Sequence, residues 1–226
     1  MSVRQSLLAI LDQGPCYGYQ LRAEFDRRTG SAWPLNVGQI YNTLDRLERD
    51  RLVRKAGSDE QGHVFYEITD AGSAAVADWM AAPVPQDSGT VRDELTIKLA
   101  LAATLPGVEA SGVVAAQRAA TKRTLEALVV ARDALVSPAT PEQLAELLVL
   151  DSRVVAAEEQ LRWLEDAVSR LRDARDAGVV DGTPLATDVP KRGRPVRSLS
   201  PAAAADAPAV GVTGTVVTPA AVAEAS

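Results

Sequence analysis

Apolar residues recur at helical spacing in four segments of the first 81 residues, with two short alternating runs between the third and the fourth. Leu7, Leu8 and Leu11 predict a helix over 4–11. It stops at Gly14-Pro15, because proline lacks an amide hydrogen and disfavours a helical residue before it. Leu21 and Phe25, four apart, predict a second helix over 17–28 with Gly30 as its stop. Val37, Ile40, Leu44 and Leu47 predict a third over 39–50, with Asn36 at the N-cap position and Gln39 three residues on, close to a capping box. Residues 52–55 and 64–68 read as strands around the polar, glycine-flanked tip 57–62 of a hairpin. Thr69 caps a fourth helix that reaches Trp79. Three helices, a hairpin and a closing helix predict a winged helix-turn-helix.

In that fold the third helix enters the DNA major groove, and its polar back suits the task. At about 100° per residue, Gln39, Asn42, Arg46 and Arg49 fall opposite the apolar stripe. Glutamine and asparagine can pair bidentately with adenine, and arginine with guanine. Any surface helix has a polar back, so the flanking elements are what support this reading. Tyr41 and Thr43, beside Asn42, complete the expected set. Arg54, Lys55 and His63, in the wing, are expected at the phosphate backbone or the minor groove.

Past a proline- and glycine-bearing linker at 82–89, the pattern becomes one of long helices: 90–104, 108–135 and 141–176, with Ser137-Pro138 dividing the last two. The final helix carries the clearest periodicity in the chain. Leu147, Leu150, Val154, Ala157, Leu161, Leu164, Val168 and Leu171 alternate spacings of three and four, the seam of a coiled coil or bundle. Packing on the preceding helix accounts for part of that seam. A helix of about 36 residues is roughly 54 Å long, so the remainder is expected to pair two copies of the chain. The class is therefore mainly α with a small β-hairpin wing. A DNA-binding domain (1–81), linker (82–89) and helical dimerisation domain (90–178) precede a low-complexity tail (179–226) expected to be disordered. Two recognition helices on a twofold axis would read an inverted repeat with half-sites roughly 34 Å apart.

Charge refines this picture. The net charge of −6 argues against a protein that coats nucleic acid non-specifically. Between residues 46 and 55, however, Arg46, Arg49, Arg51, Arg54 and Lys55 face only Glu48 and Asp50. A site-specific binder needs only such a local face, and its affinity should fall with salt. In the tail, Lys191-Arg192-Gly193-Arg194-Pro195 resembles the core of an AT-hook, with Arg192, Gly193 and Arg194 suited to a narrow A·T minor groove. A solubilising basic spot is the plainer reading of those five residues.

A single cysteine fits a reducing compartment. Neither a signal peptide nor an apolar stretch of about 18 residues is apparent, so the chain is expected in the cytoplasm, on the nucleoid when DNA-bound, with no membrane partner. His63 is the sole histidine, so no histidine-based metal site or catalytic triad can form in one chain. No catalytic residues, metal or cofactor are expected. Cys16 precedes a helix start, where the dipole could lower its pKa, although a structural thiol is the better expectation. Trp79 and Trp163 are candidates for an apolar effector pocket, with Trp79 preferred for its place beside the linker.

Gly18-Tyr19-Gln20-Leu21, Gly38-Gln39-Ile40-Tyr41, Leu44-Asp45-Arg46-Leu47-Glu48 and Tyr66-Glu67-Ile68-Thr69-Asp70-Ala71-Gly72 stand in the order and spacing of the landmarks of the PadR family of bacterial transcriptional regulators. Residues 92–99 look like the start of that family's C-terminal domain, so the chain resembles the family over 1–178. The resemblance implies a homodimeric repressor of double-stranded DNA, often released by a small, frequently aromatic ligand. Asn42 stands where many members have proline, and the segment 61–66 lacks the arginines many carry in the second wing strand. Both departures shift the expected readout onto the recognition helix. The alternative is a winged-helix protein-interaction module with no direct DNA readout.

Overall fold

The structure, a computed structural model, describes residues 2–85, 91–135, 137–179 and 182–186. Its elements run α1 (Ser2–Leu11), β1 (Cys16–Tyr17), α2 (Gly18–Arg28), α3 (Val37–Arg49), β2 (Val53–Ser58), β3 (Val64–Ile68), α4 (Asp70–Ala81), α5 (Val91–Thr104), α6 (Ala110–Asp133) and α7 (Pro141–Asp176). This is a mainly helical chain with one small antiparallel sheet of order β1-β3-β2. The wing strand β2 runs three residues past its expected end, to Ser58, and a register shift between Lys55 and Gly57 absorbs the extra residue as a bulge. Two-residue β1 was not expected. It forms because the chain leaving Pro15 pairs Cys16 with Tyr66 and Tyr17 with Phe65, a contact that no local pattern announces.

Local chemistry sets both ends of α3. Asn36 Oδ1 accepts from Gln39 N at 2.8 Å while Gln39 Oε1 accepts from Asn36 N at 3.0 Å, so the capping box is complete. At the other end Arg51 N donates to Glu48 O and Leu52 N to Leu47 O, both 2.9 Å, the paired bonds of a Schellman motif. The motif needs a left-handed residue after the cap, and here Arg51, at φ 59°, fills the place glycine usually takes.

The core of the winged half collects Leu7, Leu8, Leu11, Leu21, Phe25, Ile40, Leu44 and Leu47, and it does not end at residue 81. Ile97, Leu101 and Leu105 of α5 and its exit turn, with Val113 of α6, belong to the same cluster. Packing is therefore continuous across the expected boundary at residue 81. Val84, in the expected linker, is buried, its amide donating to Gln117 Oε1 at 2.7 Å and its carbonyl accepting from Gln117 Nε2 at 3.2 Å.

Two further observations concern the second half. The leucine seam of α7 is used inside one chain. Leu150, Val154 and Ala157 pack with Leu125, Leu128 and Leu135, while Leu164, Val168 and Leu171 pack with Val84, Leu95, Leu99 and Val114. Leu147 and Leu161 are half-buried on the same side. Within the subunit α6 covers one end of this seam, and α5, Val84 and Val114 of α6 the other. The chain past 178 is also more than a tail, since residues 182–186 lie back on α2. The Arg192, Gly193 and Arg194 positions lie outside the described residues.

Candidate nucleic-acid interface

On α3 the split between faces is complete. Ile40, Leu44 and Leu47 are fully buried, whereas Gln39, Asn42, Arg46 and Arg49 are exposed. The side chains of Asn42, Arg46 and Arg49 carry no hydrogen bond or ion pair among the described residues, so their donors and acceptors are free for an external partner. Gln39 is different. Its Oε1 is committed to the capping box, which leaves mainly its Nε2 to offer. Thr43 turns its hydroxyl onto its own helix, Oγ1 donating to Gln39 O at 2.7 Å. Tyr41 is half-buried, with its ring over Gly18 at the start of α2. The expected six residues of α3 therefore divide into three with uncommitted side chains, one partly committed cap and two turned onto the protein itself.

The wing is less available than its sequence suggests. Arg54 Nε lies 2.5 Å from Glu67 Oε1 across the β2–β3 pair, and Lys55 Nζ lies 2.9 Å from Glu48 Oε2. The Glu48 hydrogen bond and charge hold the Lys55 ammonium above its ordinary pKa. His63 is not a free wing-tip contact. Its Nδ1 sits 2.8 Å from Asp59 Oδ2, and its ring stacks on Tyr17 at 4.6 Å. Asp59 also accepts from the amides of Gln61 and His63, a side-chain turn that closes the tip. The His63 hydrogen bond, helped by these amides, keeps the Asp59 carboxyl below the usual range. His63 therefore shapes the wing. The positive field rests instead on Arg46, Arg49 and Arg51, because Arg4 neutralises the nearby Asp50 at 2.7 Å.

Cys16 is fully buried, and burial pushes its thiol up to about 12. The dipole at the start of α2 does not produce a thiolate there, because desolvation of the charged form outweighs it. The two tryptophans do not share a pocket. Trp79 is half-buried against the winged core, with the Lys98 ammonium 5.6 Å from its ring centroid and its Nε1 buried without a partner. Trp163 is exposed and lines a shallow cleft of about 340 Å³ with Thr96, Glu159, Arg162 and Asp166. A larger cleft, about 560 Å³, opens where α5, α6 and α7 meet, walled by Ala102, Val108, Val168 and Leu171 and edged by Arg172 and Arg175.

Sequence reasoning missed Gln20, Glu24, Arg27 and Arg28 altogether. Glu24 and Arg28 are four apart and their side chains are 2% and 1% exposed, with Arg28 Nε 3.1 Å from Glu24 Oε2. The i,i+4 spacing was legible as a pair. Its burial was not, since residues 182–186 and Thr104 supply the cover.

Residues 7–78 match the transcriptional regulator PadR-like family, and residues 91–172 match the C-terminal region of the virulence activator alpha family. The chain is similar to "Probable transcriptional regulator Rv1176c" of Mycobacterium tuberculosis, at 27% identity over 77% of this chain and 100% of that one. It is also similar to the negative transcriptional regulator PadR of Bacillus subtilis, at 24% identity over 75% of this chain and 97% of the other. Among solved structures, Bacillus subtilis PadR in complex with operator DNA is 23% identical over 76% of this chain and 99% of that one, with a TM-score of 0.34. The Vibrio cholerae virulence activator AphA shows the same identity and coverage, with a TM-score of 0.33. The relatives are transcriptional regulators and not enzymes. No helix of the described residues is long and apolar enough to cross a membrane. The winged-helix half, residues 7–78, is thus a domain of the transcriptional regulator PadR-like family.

Proposed function

We propose that this regulator is a homodimeric, ligand-responsive repressor that reads an inverted-repeat operator in the cytoplasm. The observation that carries the DNA reading is the uncommitted stripe Asn42, Arg46 and Arg49, exposed directly behind the buried Ile40, Leu44 and Leu47. A stripe of amide and guanidinium groups on a rigid, doubly capped helix presents donors in fixed geometry, which base readout requires. The Bacillus subtilis relative is named a negative regulator, and repression is the corresponding reading here.

Because the seam of α7 is spent within the subunit, dimerisation falls to its opposite face. Leu144, Leu148 and Val155 lie within about 40° of one another around the helix and are 48%, 61% and 56% exposed. These residues flank Asp151 on one stretch of the helix, 144–155, and such a patch can meet its own copy antiparallel about a twofold axis. For the effector, the cleft at the junction of α5, α6 and α7 offers an apolar wall beside Arg172, while Arg175 is paired with Glu109 at 2.8 Å, and the Arg172 guanidinium suits a small aromatic acid. Trp79 and Trp163, in separate places, suit such a ligand less well.

A gel shift on the protein's own upstream region at moderate salt tests the reading. Asn42→Ala and Arg46→Ala should each cost roughly 1–3 kcal/mol of discrimination, the value of a good bidentate base contact. Arg51→Gly should weaken all duplexes alike. A discrete complex that dissolves on adding an aromatic acid supports the ligand-responsive form. No discrete complex with any duplex would favour a protein-interaction module instead.

A further inference from the structure

After α7 the chain returns to the winged half, where Gly182–Ala186 lie along α2. Thr183 N donates to Thr104 O and Arg28 Nη2 donates to Thr183 O, both at 2.7 Å. Arg27 Nη2 donates to Pro184 O at 2.7 Å. Ala186 N donates to Glu24 Oε1 at 3.0 Å, and Gln20 Nε2 donates to Ala186 O at 3.2 Å. Gln20, Glu24, Arg27 and Arg28 stand three and four residues apart, so they line one face of α2. All of these bonds go to the backbone of the returning segment. Its Leu185 side chain packs, half-buried, against the winged core.

What the segment covers is ionic rather than apolar. Glu24 and Arg28, with side chains 2% and 1% exposed, pair at 3.1 Å beneath it. Lifting the segment hands these charges to water, which solvates them without leaving an apolar patch behind. The balance is close. Five hydrogen bonds and one half-buried leucine oppose the entropy of ordering five residues, and the two sides are of similar size. A cover held on such terms opens locally while the fold around it stays intact.

Closed, the segment steadies α2 from residue 20 to 28. Arg28 Nη1, 2.6 Å from Thr104 O, extends the same cluster to the end of α5. The first residue of α2 is Gly18, under the ring of Tyr41 from α3, so what steadies α2 also steadies the residue before Asn42. We propose that Gly182–Ala186 is a latch on α2 that opens and closes within the folded protein, and that its closed state is the one that binds operator. This rests on the DNA reading given above and adds a conformational control to it.

Cys16, the chain's only cysteine, can report on the latch. It is fully buried, with Sγ 3.6 Å from Gly14 O. A side chain at Gly14 would stand 3.3 Å from Leu185 Cδ1, and the charges of Glu24 and Arg28 act on the thiol, so Cys16 adjoins the latch seat. Alkylating reagents attack the thiolate, which burial suppresses.

The test follows iodoacetamide labelling of Cys16, together with operator affinity, in the parent and two full-length variants. Gly182→Ala drives a Cβ to 2.7 Å from backbone atoms of Pro106, and Leu185→Asp puts a charge into the apolar part of the seat. Both variants should melt cooperatively, label about tenfold faster or more, and bind operator correspondingly more weakly. Because coupling is reciprocal, operator should slow labelling of the parent by the factor the variants lose in affinity. It should slow labelling of the variants far less, a difference that shielding of Cys16 by DNA would not produce. Parent-like labelling in both variants overturns the latch. Fast labelling at parent-like affinity, or equal slowing by operator in parent and variants, overturns its link to DNA binding. Loss of cooperative melting in both variants makes the segment part of the fold and also overturns the latch. If no duplex gives a discrete complex, the DNA reading falls and the operator link with it, while labelling still decides whether the latch opens.

Discussion

The ring of Tyr41 occupies the space that a side chain at Gly18 would need: a Cβ there would stand 2.7 Å from Tyr41 Cζ and 2.9 Å from its hydroxyl oxygen. Glycine at 18 thus lets α2 and α3 approach closely enough to seat the residue just before Asn42. Gly18→Ala should push the ring aside at a stability cost of about 1–3 kcal/mol, the range for overpacking. The larger effect should be on operator affinity, because the adjacent Asn42 shifts with the helix. Thermal melting and gel shifts on Gly18→Ala, Tyr41→Ala and the double variant separate the two, with the double variant recovering stability if the clash is the cause. A Gly18→Ala protein that binds like the parent would show that this contact does not position the readout.

Arg51 presents a different kind of signal, a non-glycine residue held at φ 59° at the end of the recognition helix. An L-residue in that region costs roughly 1–2 kcal/mol, which glycine would avoid. Strain kept beside a proposed binding face suggests that the guanidinium is needed there. Arg51→Gly should hold or raise the melting temperature while weakening binding to all duplexes alike and reducing the salt slope by about one charge. Unchanged DNA affinity would mean that the strain is incidental to function.

Much of this protein can be read in its sequence wherever the signal is local. The apolar stripe of α3, its Asn36–Gln39 cap and the polar back with Asn42 and Arg46 all follow from neighbours within one or two turns. What could not be read depends on distant residues. Glu48 and Lys55, or Arg54 and Glu67, reveal their pairing only once the wing folds against α3 and on itself. The α7 periodicity correctly marked a packing seam, but periodicity cannot say which chain supplies the other side. The return of the chain onto α2 was invisible for a related reason: Gly182 to Ala186 has no repeating pattern, and its partners stand some 160 positions earlier.

Lys98 ties stability to pH. It is buried on α5, donating to the Ala82 carbonyl with its ammonium over the Trp79 ring. Burial lowers its pKa from 10.5 to about 8, against the opposing charge of Glu94. Below pH 8 both folded and unfolded chains hold the proton, and the cost of burying the charge is fully present. Between pH 8 and 10.5 the unfolded chain binds more protons, so this group makes the fold more stable as pH rises. Cys16, pushed up to about 12 by burial, acts in the opposite sense above its ordinary value of 9.0, so the comparison must be differential. The melting temperature of the parent should gain on that of Lys98→Met between pH 8 and 10. A constant difference across that range would place Lys98 in solvent.

The two faces of α7 make separable predictions. Leu164 belongs to the seam and is fully buried against Val84, Leu95 and Val114, whereas Leu148 on the back is 61% exposed. Leu164→Ala should leave a cavity and cost about 2–5 kcal/mol while the dimer persists, since the outer strip is untouched. Leu148→Glu should leave the subunit's stability nearly unchanged, because surface substitutions away from special features stay within about 0.5 kcal/mol. In a dimer it would place two carboxylates in an apolar contact, so sedimentation should report monomers at micromolar concentration. Operator affinity should then fall by about a hundredfold or more, as two half-sites no longer act as one. A Leu148→Glu protein that sediments as a dimer would move the interface elsewhere. Dissociation by Leu164→Ala at full subunit stability would return it to the seam.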